Sequence, residues 1–358
     1  MKKILPMSLV LLFLLAGCLP QETEQQSKQS DIVEITDGGL TAHFIDVGQA
    51  DSTLLEFDGH AILIDAGDWT GDEVTGYLAS QGITELDIVV GTHPDADHIG
   101  QLAEVVKEFE VGEVWMSGNA STSNVFIETL EAIEATGTDY YEPRAGETFD
   151  IGKLALEILY PEEVTGKVNE ESIAMKITYG DVQFIFTGDA GVKEEQNMID
   201  RGVDLDAEIL HMGHHGSNTS TSQDFLKAVS PEVAIYSAGS DNSYGHPHAE
   251  VIAAAENAGA EVYGTDVNGT VIVKTDGVSY TVETAEEGTP AEGQNRCIDI
   301  NVASSAELQQ IEGIGEVLAD TIKAQRPFKN LDELIEVKGI GEGKLKDIKS
   351  QGLACIGE

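Results

Sequence analysis

A chain of 358 residues with 41% hydrophobic side chains is long enough for one large core plus a small appendage, or for two medium domains. Its 64 acidic against 20 basic residues give a formal net charge of −44, which taken alone argues against a nucleic-acid partner. That exclusion lapses in a very salty medium, where at about 1 M the screening length falls to about 3 Å; acidic residues spread along the whole chain read as the solvating surface of a halophile-like protein.

Lys2 and Lys3 precede an apolar stretch from Ile4 to Leu15, too short to span a bilayer with ease and laid out like a secretory signal. Its ending, Leu15-Ala16-Gly17-Cys18, resembles the bacterial lipoprotein lipobox, in which the Cys becomes the lipidated first residue. The expectation is a signal peptide over 1–17, lipid on Cys18 and an extracytoplasmic protein held on the outer face of the cell membrane. Residues 18–36 are polar and aperiodic, and read as a flexible tether.

From Leu40 short strands take over: Thr41 to Val47, Ser52 to Phe57 and Ala61 to Asp65, punctuated by Gly48, Asp58-Gly59 and Gly67, as in consecutive antiparallel strands. A helix is predicted from Glu73 to Gln81, ended by Gly82. The β-branched run Ile88-Val89-Val90 reads as a buried strand and leads into Gly91-Thr92-His93-Pro94-Asp95-Ala96-Asp97-His98-Ile99-Gly100. Ile99 to Glu110 is amphipathic, with Leu102, Val105, Val106 and Phe109 on one face, so the loop opens into a helix. Further strand and helix segments follow at Val114-Trp115, Val125 to Ala135 and Leu154 to Leu159.

Two strands joined by Gly180-Asp181 come next, and the second delivers Gly188-Asp189. In the same way Ala207 to Leu210 leads into His211-Met212-Gly213-His214-His215-Gly216-Ser217, and Val233 to Ser237 leads into Gly245-His246-Pro247-His248. Each histidine loop thus follows an apolar strand, which lets the fold gather them on one rim. A helix from Ala249 to Ala258 and strands around Val262-Tyr263, Val271 to Val273 and Tyr280 to Val282 complete a domain over 37–284, and residues 285–296 read as a linker.

Residues 297–358 turn helical. Ser304-Ser305-Ala306-Glu307 matches a capping box, and Pro327 follows a helix ending near Arg326. Gly313-Ile314-Gly315 and Gly339-Ile340-Gly341 are an internal echo. Such turns between helices let backbone N–H groups face outward beside a helix N-terminus, a ready phosphate site, and two copies in one small domain favour DNA binding over a plain tight connection. Lys338, Lys344, Lys346 and Lys349 either hold DNA beside the hairpins or form a solvated face. The segment has 7 basic and 11 acidic residues, so it is much less acidic than the rest. Cys297 and Cys355 flank it; in an oxidising exterior an even pair suggests a disulfide, of about 4 kcal/mol for a loop of that length, with two free thiols as the alternative.

Two imidazoles and two carboxylates within six positions point to metal chemistry. His93 and Asp95 can face one metal while Asp97 and His98 reach a neighbour, and Asp189 is placed to bridge both. His214 or His215 would complete a shell, and His246 or His248 would finish it or touch the substrate; Asp97 and His246 are the candidate catalytic groups. Two divalent ions can supply a nucleophile and neutralise a phosphodiester. So carboxylate-rich a set leans towards Mn²⁺ over Zn²⁺. His43 and His211 read as structural, Asp65 as a brace for the metal loop, and Asp46, Gln49 and Asp51 as either turn-builders or site support.

Residues from about 40 to 284 resemble the metallo-β-lactamase superfamily, specifically the extracellular nuclease-like domain of ComEC competence proteins. The matching pieces are Asp46 to Ser52, Ile64 to Gly67, Thr92 to Gly100, Asn169 to Ser172, Thr187 to Asp189, Gly213 to Ser217 and Tyr244 to Pro247. Residues 297–358 resemble the helix-hairpin-helix domain of ComEA, a DNA receptor. The resemblance implies an α/β fold, an αββα metallo-β-lactamase sandwich followed by a small all-α helix-hairpin-helix domain. It also implies metal-dependent hydrolysis of DNA, a hairpin module that grips duplex phosphates without reading sequence, and a link to DNA-uptake machinery. Asp95 stands where many members have His, Ala50 and Gln101 replace Gly, and Glu312 replaces the Pro often found before the first hairpin. The expected function is a surface-anchored nuclease for DNA uptake or scavenging; the alternatives are a non-catalytic DNA receptor and a hydrolase of another small phosphodiester or a lactone.

Overall fold

A computed structural model describes residues 38–290 except 241, and 298–356 except 304, 310, 312, 352 and 353. The expected signal peptide, Cys18, the tether and Cys297 lie outside the described residues.

The first sheet opens with the antiparallel strands β1 (Leu40–Phe44), β2 (Thr53–Phe57) and β3 (His60–Ile64). After helix α1 (Glu73–Gln81), closed by left-handed Gly82 as its position requires, β4 (Glu85–Gly91) pairs parallel to β3. Helices α2 (Ala96–Ile99) and α3 (Leu102–Glu108) precede β5 (Glu110–Met116), and α4 (Asn124–Thr136) precedes β6 (Asp139–Tyr141). The second sheet holds β7 (Thr148–Ile151), β8 (Leu154–Tyr160), β9 (Ala174–Tyr179) and β10 (Val182–Phe186). It continues through α5 (Val192–Arg201), β11 (Ile209–His211), α6 (Gln223–Val229), β12 (Val233–Tyr236), α7 (Ala249–Ala258) and β13 (Glu261–Gly264). The short helix α8 (Thr265–Asn268) then returns the chain to the first sheet as β14 (Val271–Thr275) and β15 (Tyr280–Thr284). The strand orders are β15-β14-β1-β2-β3-β4-β5-β6 and β13-β12-β11-β10-β9-β8-β7.

Period-two alternation builds the layers. In β3, Ile62 and Ile64 enter the core between the sheets while Ala61 and Leu63 pack towards the helices of the first sheet; in β10, Phe184 and Phe186 face inward and Ile185 faces outward. Phe44, Trp115, Met175, Phe184 and Ile235 meet between the sheets, and each fully buried side chain of this size contributes about 1.5–3 kcal/mol. Val105, Val106 and Phe126 cover one outer face, and Met198, Phe225, Leu226 and Ile252 the other. The result is the expected αββα sandwich.

Strands β3 to β6 run parallel, as do β10 to β13. Their carboxyl ends therefore open on one side of the molecule, which carries the histidine loops. Where one helix was expected over 99–110, the chain forms two. The Gly100 and Gln101 N–H groups donate to the Gly67 and Ala66 carbonyls, so the segment after β3 takes the hydrogen bonds that a continuous helix would use. Residues just past 284 also stay attached to the sandwich: Ala285 and Glu286 donate to the Thr270 and Asn268 carbonyls.

The C-terminal module comprises β16 (Ile298–Asp299), α9 (Ser305–Leu308), α10 (Glu316–Gln325), a 3₁₀ turn over Leu331–Glu336, α11 (Glu342–Ser350) and β17 (Ala354–Cys355). Its helices pack around Leu308, Ile314, Ile322, Leu334, Ile340 and Ile348. The parallel ladder of β16 with β17 is an addition to the all-helical expectation. Cys355 is disulfide-bonded. The proposed capping-box residue Ser304 lies outside the described residues.

Candidate metal centre

The loop after β4 delivers His93, Asp95, Asp97 and His98, the end of β10 delivers Asp189, and the turn after β11 delivers His214 and His215. Asp189 divides the site. Its Oδ2 lies 3.6 Å from His93 Nε2 and 3.5 Å from His214 Nε2, while its Oδ1 lies 3.3 Å from His98 Nε2. Asp95 Oδ2 stands 3.7 Å from His93 Nε2, and Asp97 Oδ2 stands 3.4 Å from His215 Nε2. Asp95 thus stands with His93, with His214 on the same oxygen of Asp189, while Asp97 stands with His215.

These residues fit divalent cations. The inward Nε2 atoms of His93, His98 and His215 and the Oδ1 of Asp189 are buried without a hydrogen-bond partner, a costly arrangement unless something else binds them. Ligands about 2.1 Å from one ion stand about 3.0–3.4 Å from each other, close to the separations here. Asp51, His98, Asp189 and His215 offer ligand atoms all within 4.8 Å of one another.

The outer nitrogens are engaged, which aims the inner ones. His98 Nδ1 donates to Asp65 Oδ2 at 2.8 Å, His215 Nδ1 donates to the Ser237 carbonyl at 3.0 Å, and His214 Nδ1 is hydrogen-bonded with Thr219 Oγ1 at 2.9 Å. Asp65 also accepts from the Thr92 N–H and hydroxyl, so it braces the loop. His214 and His215 both occupy the left-handed region, at φ 52° and 56°. Such strain costs about 1–3 kcal/mol per residue and persists only where surroundings enforce it; here Glu195 accepts from the Thr221 and Ser222 N–H groups and pins the far end of the turn.

The electrostatics also call for cations. Burial opposes charge on His98, yet Asp189 and Asp65 outweigh it and hold its pKa well above the ordinary value. His215, likewise buried, is raised to about 9 by Asp51 and Asp97. Burial and the neighbouring His98 push His93 down to about 3. For Asp189 burial is overcome by His98 and His93, which keep the carboxyl well below its usual range.

Asp51, left undecided by the sequence, sits at 3.7 Å from His98 Nδ1 and 3.8 Å from His215 Nδ1. It approaches both rings at their Nδ1 edges, and its own Oδ1 is buried without a hydrogen-bond partner, so Asp51 joins the groups that could hold a cation. His211 packs between Phe44 and Phe186 and reaches Asp51 and Ser237. His246 borders the histidine cluster, its ring 5.7 Å from that of His214; burial and His215 push its pKa to about 3, so the ring is neutral at pH 7.

His248, expected among the metal ligands, has its Nδ1 engaged: it accepts from the Asn218 N–H at 3.1 Å, and Asn218 in turn donates to Glu250, so this imidazole fastens the histidine turn, with its ring 5.2 Å from that of His246. Asn169 was overlooked as a site residue. Its Nδ2 donates to Asp189 Oδ2 at 3.3 Å, and Ser172 Oγ accepts from the Asp189 N–H. Glu171 anchors their loop by accepting from the Thr165, Gly166 and Lys167 N–H groups. The available signal was the polar run Asn169 to Ser172 directly before a strand.

In the C-terminal module Gly313 and Gly339 take φ 87° and 111°, conformations that favour glycine. The Ile314 and Ile340 N–H groups donate to the Ile311 and Val337 carbonyls, closing two matching turns. Both isoleucines plug the core, while Gly313, Gly315, Gly339 and Gly341 are exposed. Lys344 Nζ donates to the Gly313 carbonyl at 2.9 Å, which sets a cation at the first hairpin. Lys338 and Lys346 are exposed and Lys349 pairs with Asp332.

Two facing sheets whose strand ends gather histidines around a shared buried carboxylate define a metal-dependent hydrolase. The chain belongs to the metallo-beta-lactamase superfamily, whose family model matches residues 45–240, and a helix-hairpin-helix motif matches residues 293–351. It is similar to ComE operon protein 3 of Bacillus subtilis (strain 168), 30% identical over 247 residues that cover 63% of this chain and 32% of that protein. It is also similar to Recombination protein 2 of Haemophilus influenzae, 31% identical over 236 residues, covering 64% and 28%. A stretch of 66 residues, 18% of each chain, is 46% identical to a protein named Deoxyribonuclease from Thioalkalivibrio sp. (strain K90mix). The chain spans about a third of the length of the first two relatives.

Proposed function

We propose that the protein is a metal-dependent nuclease that cleaves phosphodiester bonds of extracellular DNA, anchored to the outer face of the membrane through lipid on Cys18. One observation carries the reading: a divided Asp189 centre and a pair of matching hairpin turns occur in one chain. The similarity to ComE operon protein 3, to Recombination protein 2 and to the protein named Deoxyribonuclease supports it. Phosphodiester hydrolysis needs charge neutralisation at the scissile group and an activated water, and divalent cations supply both. Mn²⁺ is favoured over Zn²⁺ because Asp95 adds a carboxylate to an oxygen-rich set.

Each side chain then has a task. Asp189 holds the two halves of the site in register, and His93, Asp95 and His214 serve one half while Asp97, His98 and His215 serve the other. His246, neutral and with a buried Nδ1 that has no hydrogen-bond partner, stands at the edge of the cluster to hydrogen-bond a substrate oxygen. The hairpin module holds DNA through backbone N–H groups and Lys344. A tethered duplex is thereby concentrated near the centre without any new contact there.

Purified mature protein incubated with plasmid is expected to cleave it with Mn²⁺, less well with Mg²⁺ or Zn²⁺, and across low and high salt. Absence of plasmid cleavage under every condition, together with turnover of a small phosphodiester or lactone, would replace this reading by that of a small-molecule hydrolase. For the anchor, cell fractionation is expected to find the protein with membranes and the Cys18→Ser variant released; equal retention of both refutes lipid attachment at this residue.

A further inference from the structure

Two large aromatic side chains are open to solvent on loops next to site-bearing segments, Tyr244 at 64% and Trp69 at 58% exposure. Single exposed apolar residues are ordinary, but these two are held in place on site-bearing loops. Asn242 brackets Tyr244: its Oδ1 accepts from the Tyr244 and His246 N–H groups, and its Nδ2 donates to the Gly239 and His246 carbonyls. The Tyr244 ring lies nearly parallel to that of His246, with centroids 5.8 Å apart and planes at 23°. His246 in turn borders His214 and His215. Trp69 follows Asp68, whose carbonyl accepts from Gln101 and whose carboxylate accepts from Thr70. This loop lies against Gly100, two residues after His98.

Asp51, Asp95, Asp97 and Asp189 face only histidines in their ion pairs, and among the described residues no Lys or Arg pairs with them. A surface that tracks a duplex does so through Lys and Arg contacts to phosphates. An exposed ring suits a different contact, the face of an unpaired base, which a duplex keeps stacked inside itself.

We propose that Tyr244, with Trp69, forms a base-stacking platform that selects single-stranded or frayed DNA at this centre. The inference rests on the nuclease reading and narrows its substrate. The hairpin module would hold the duplex while the centre takes the unpaired strand.

The test separates the two claims by measuring binding without cleavage. Full-length protein loaded with Ca²⁺ in place of Mn²⁺, so that the acidic centre keeps its cations, is titrated with a labelled twelve-residue oligothymidylate and with an abasic deoxyribose-phosphate strand of equal length, at about 1 M salt to suppress phosphate contacts. The wild type is expected to bind the base-bearing strand about tenfold more tightly. Tyr244→Ala is expected to lose most of that preference, Tyr244→Phe to keep it, and Trp69→Ala to lose part of it, all with unchanged far-UV circular dichroism. Equal affinity of the wild type for the two strands overturns the proposal, as does full preference in Tyr244→Ala. In cleavage with Mn²⁺, Tyr244→Ala is expected to raise KM for the single strand about tenfold with kcat within about twofold. A base preference in binding without any DNA cleavage supports the platform and refutes the nuclease reading alone.

Discussion

Asp189→Ala is expected to lower DNA cleavage by roughly a thousandfold, equivalent to about 4 kcal/mol of lost transition-state stabilisation. Asp189 turns its two oxygens towards the Nε2 atoms of different histidines, Oδ2 towards His93 and His214 and Oδ1 towards His98. Its removal leaves each half of the site without their shared ligand. A stability measurement makes the claim independent of turnover. Adding EDTA to the metal-loaded wild type is expected to lower Tm by about 5–10 °C, since a cation at a hundredfold excess over its Kd stabilises by about 2.7 kcal/mol. The variant is expected to respond little. Wild-type cleavage unaffected by the substitution, or an identical EDTA response in both proteins, refutes the bridging role.

Gly100→Ala is the second large effect. A Cβ at this position would lie 2.2 Å from the Asp68 carbonyl carbon, 2.3 Å from the Trp69 nitrogen and 2.5 Å from the Gly67 oxygen. All three are backbone atoms, so no side chain can swing aside, and relief requires α2 and the loop after β3 to separate. The expected cost is about 3 kcal/mol or more. His98 lies two residues earlier, and a displacement of about 1 Å there is expected to reduce activity about a hundredfold. Gly76→Ala, where nothing lies within 4 Å in the middle of α1, is expected to be neutral or to stabilise by up to about 1 kcal/mol. Denaturant titration of both variants decides the matter; similar midpoints would show that the 66–69 loop yields easily.

The strands were legible as short apolar runs between turn residues, and the αββα sandwich followed from the resemblance. That Ile62 and Phe184 face inward and Leu63 and Ile185 outward was not legible, because both faces of β3 and β10 are buried and the runs Ile62-Leu63-Ile64 and Phe184-Ile185-Phe186 are apolar throughout. The positions of His93, Asp95, Asp97 and His98 followed from a dense polar run at the end of an apolar strand. Other features depend on contacts between distant segments. The break between α2 and α3 arises because the Ala66 and Gly67 carbonyls take the Gly100 and Gln101 N–H groups, and periodicity within 99–110 carries no trace of that competition. His248 sits two residues from His246 and looked equivalent to it, but only the fold brings Asn218 against its Nδ1. Asn169 and Asp51 are short polar residues in turns, a context in which local hydrogen bonding is the common reason for such residues. Their proximity to Asp189 and to the rings of His98 and His215 depends on tertiary pairing.

The closure of the first sheet sets a condition on biosynthesis. β1 pairs with β14 in a register that joins Leu40 to Thr275, and every ligand lies between these two strands. A nascent chain that has exposed His93 or Asp189 still lacks the strand that completes the sheet beside β1. Non-local pairing of this kind delays folding, and the unpaired edge of β1 stays open until the last part of the domain emerges. Assembly of the centre is thus a late event in the life of the chain, and a truncated product ending before residue 271 would carry the His and Asp ligands without a finished scaffold to aim them.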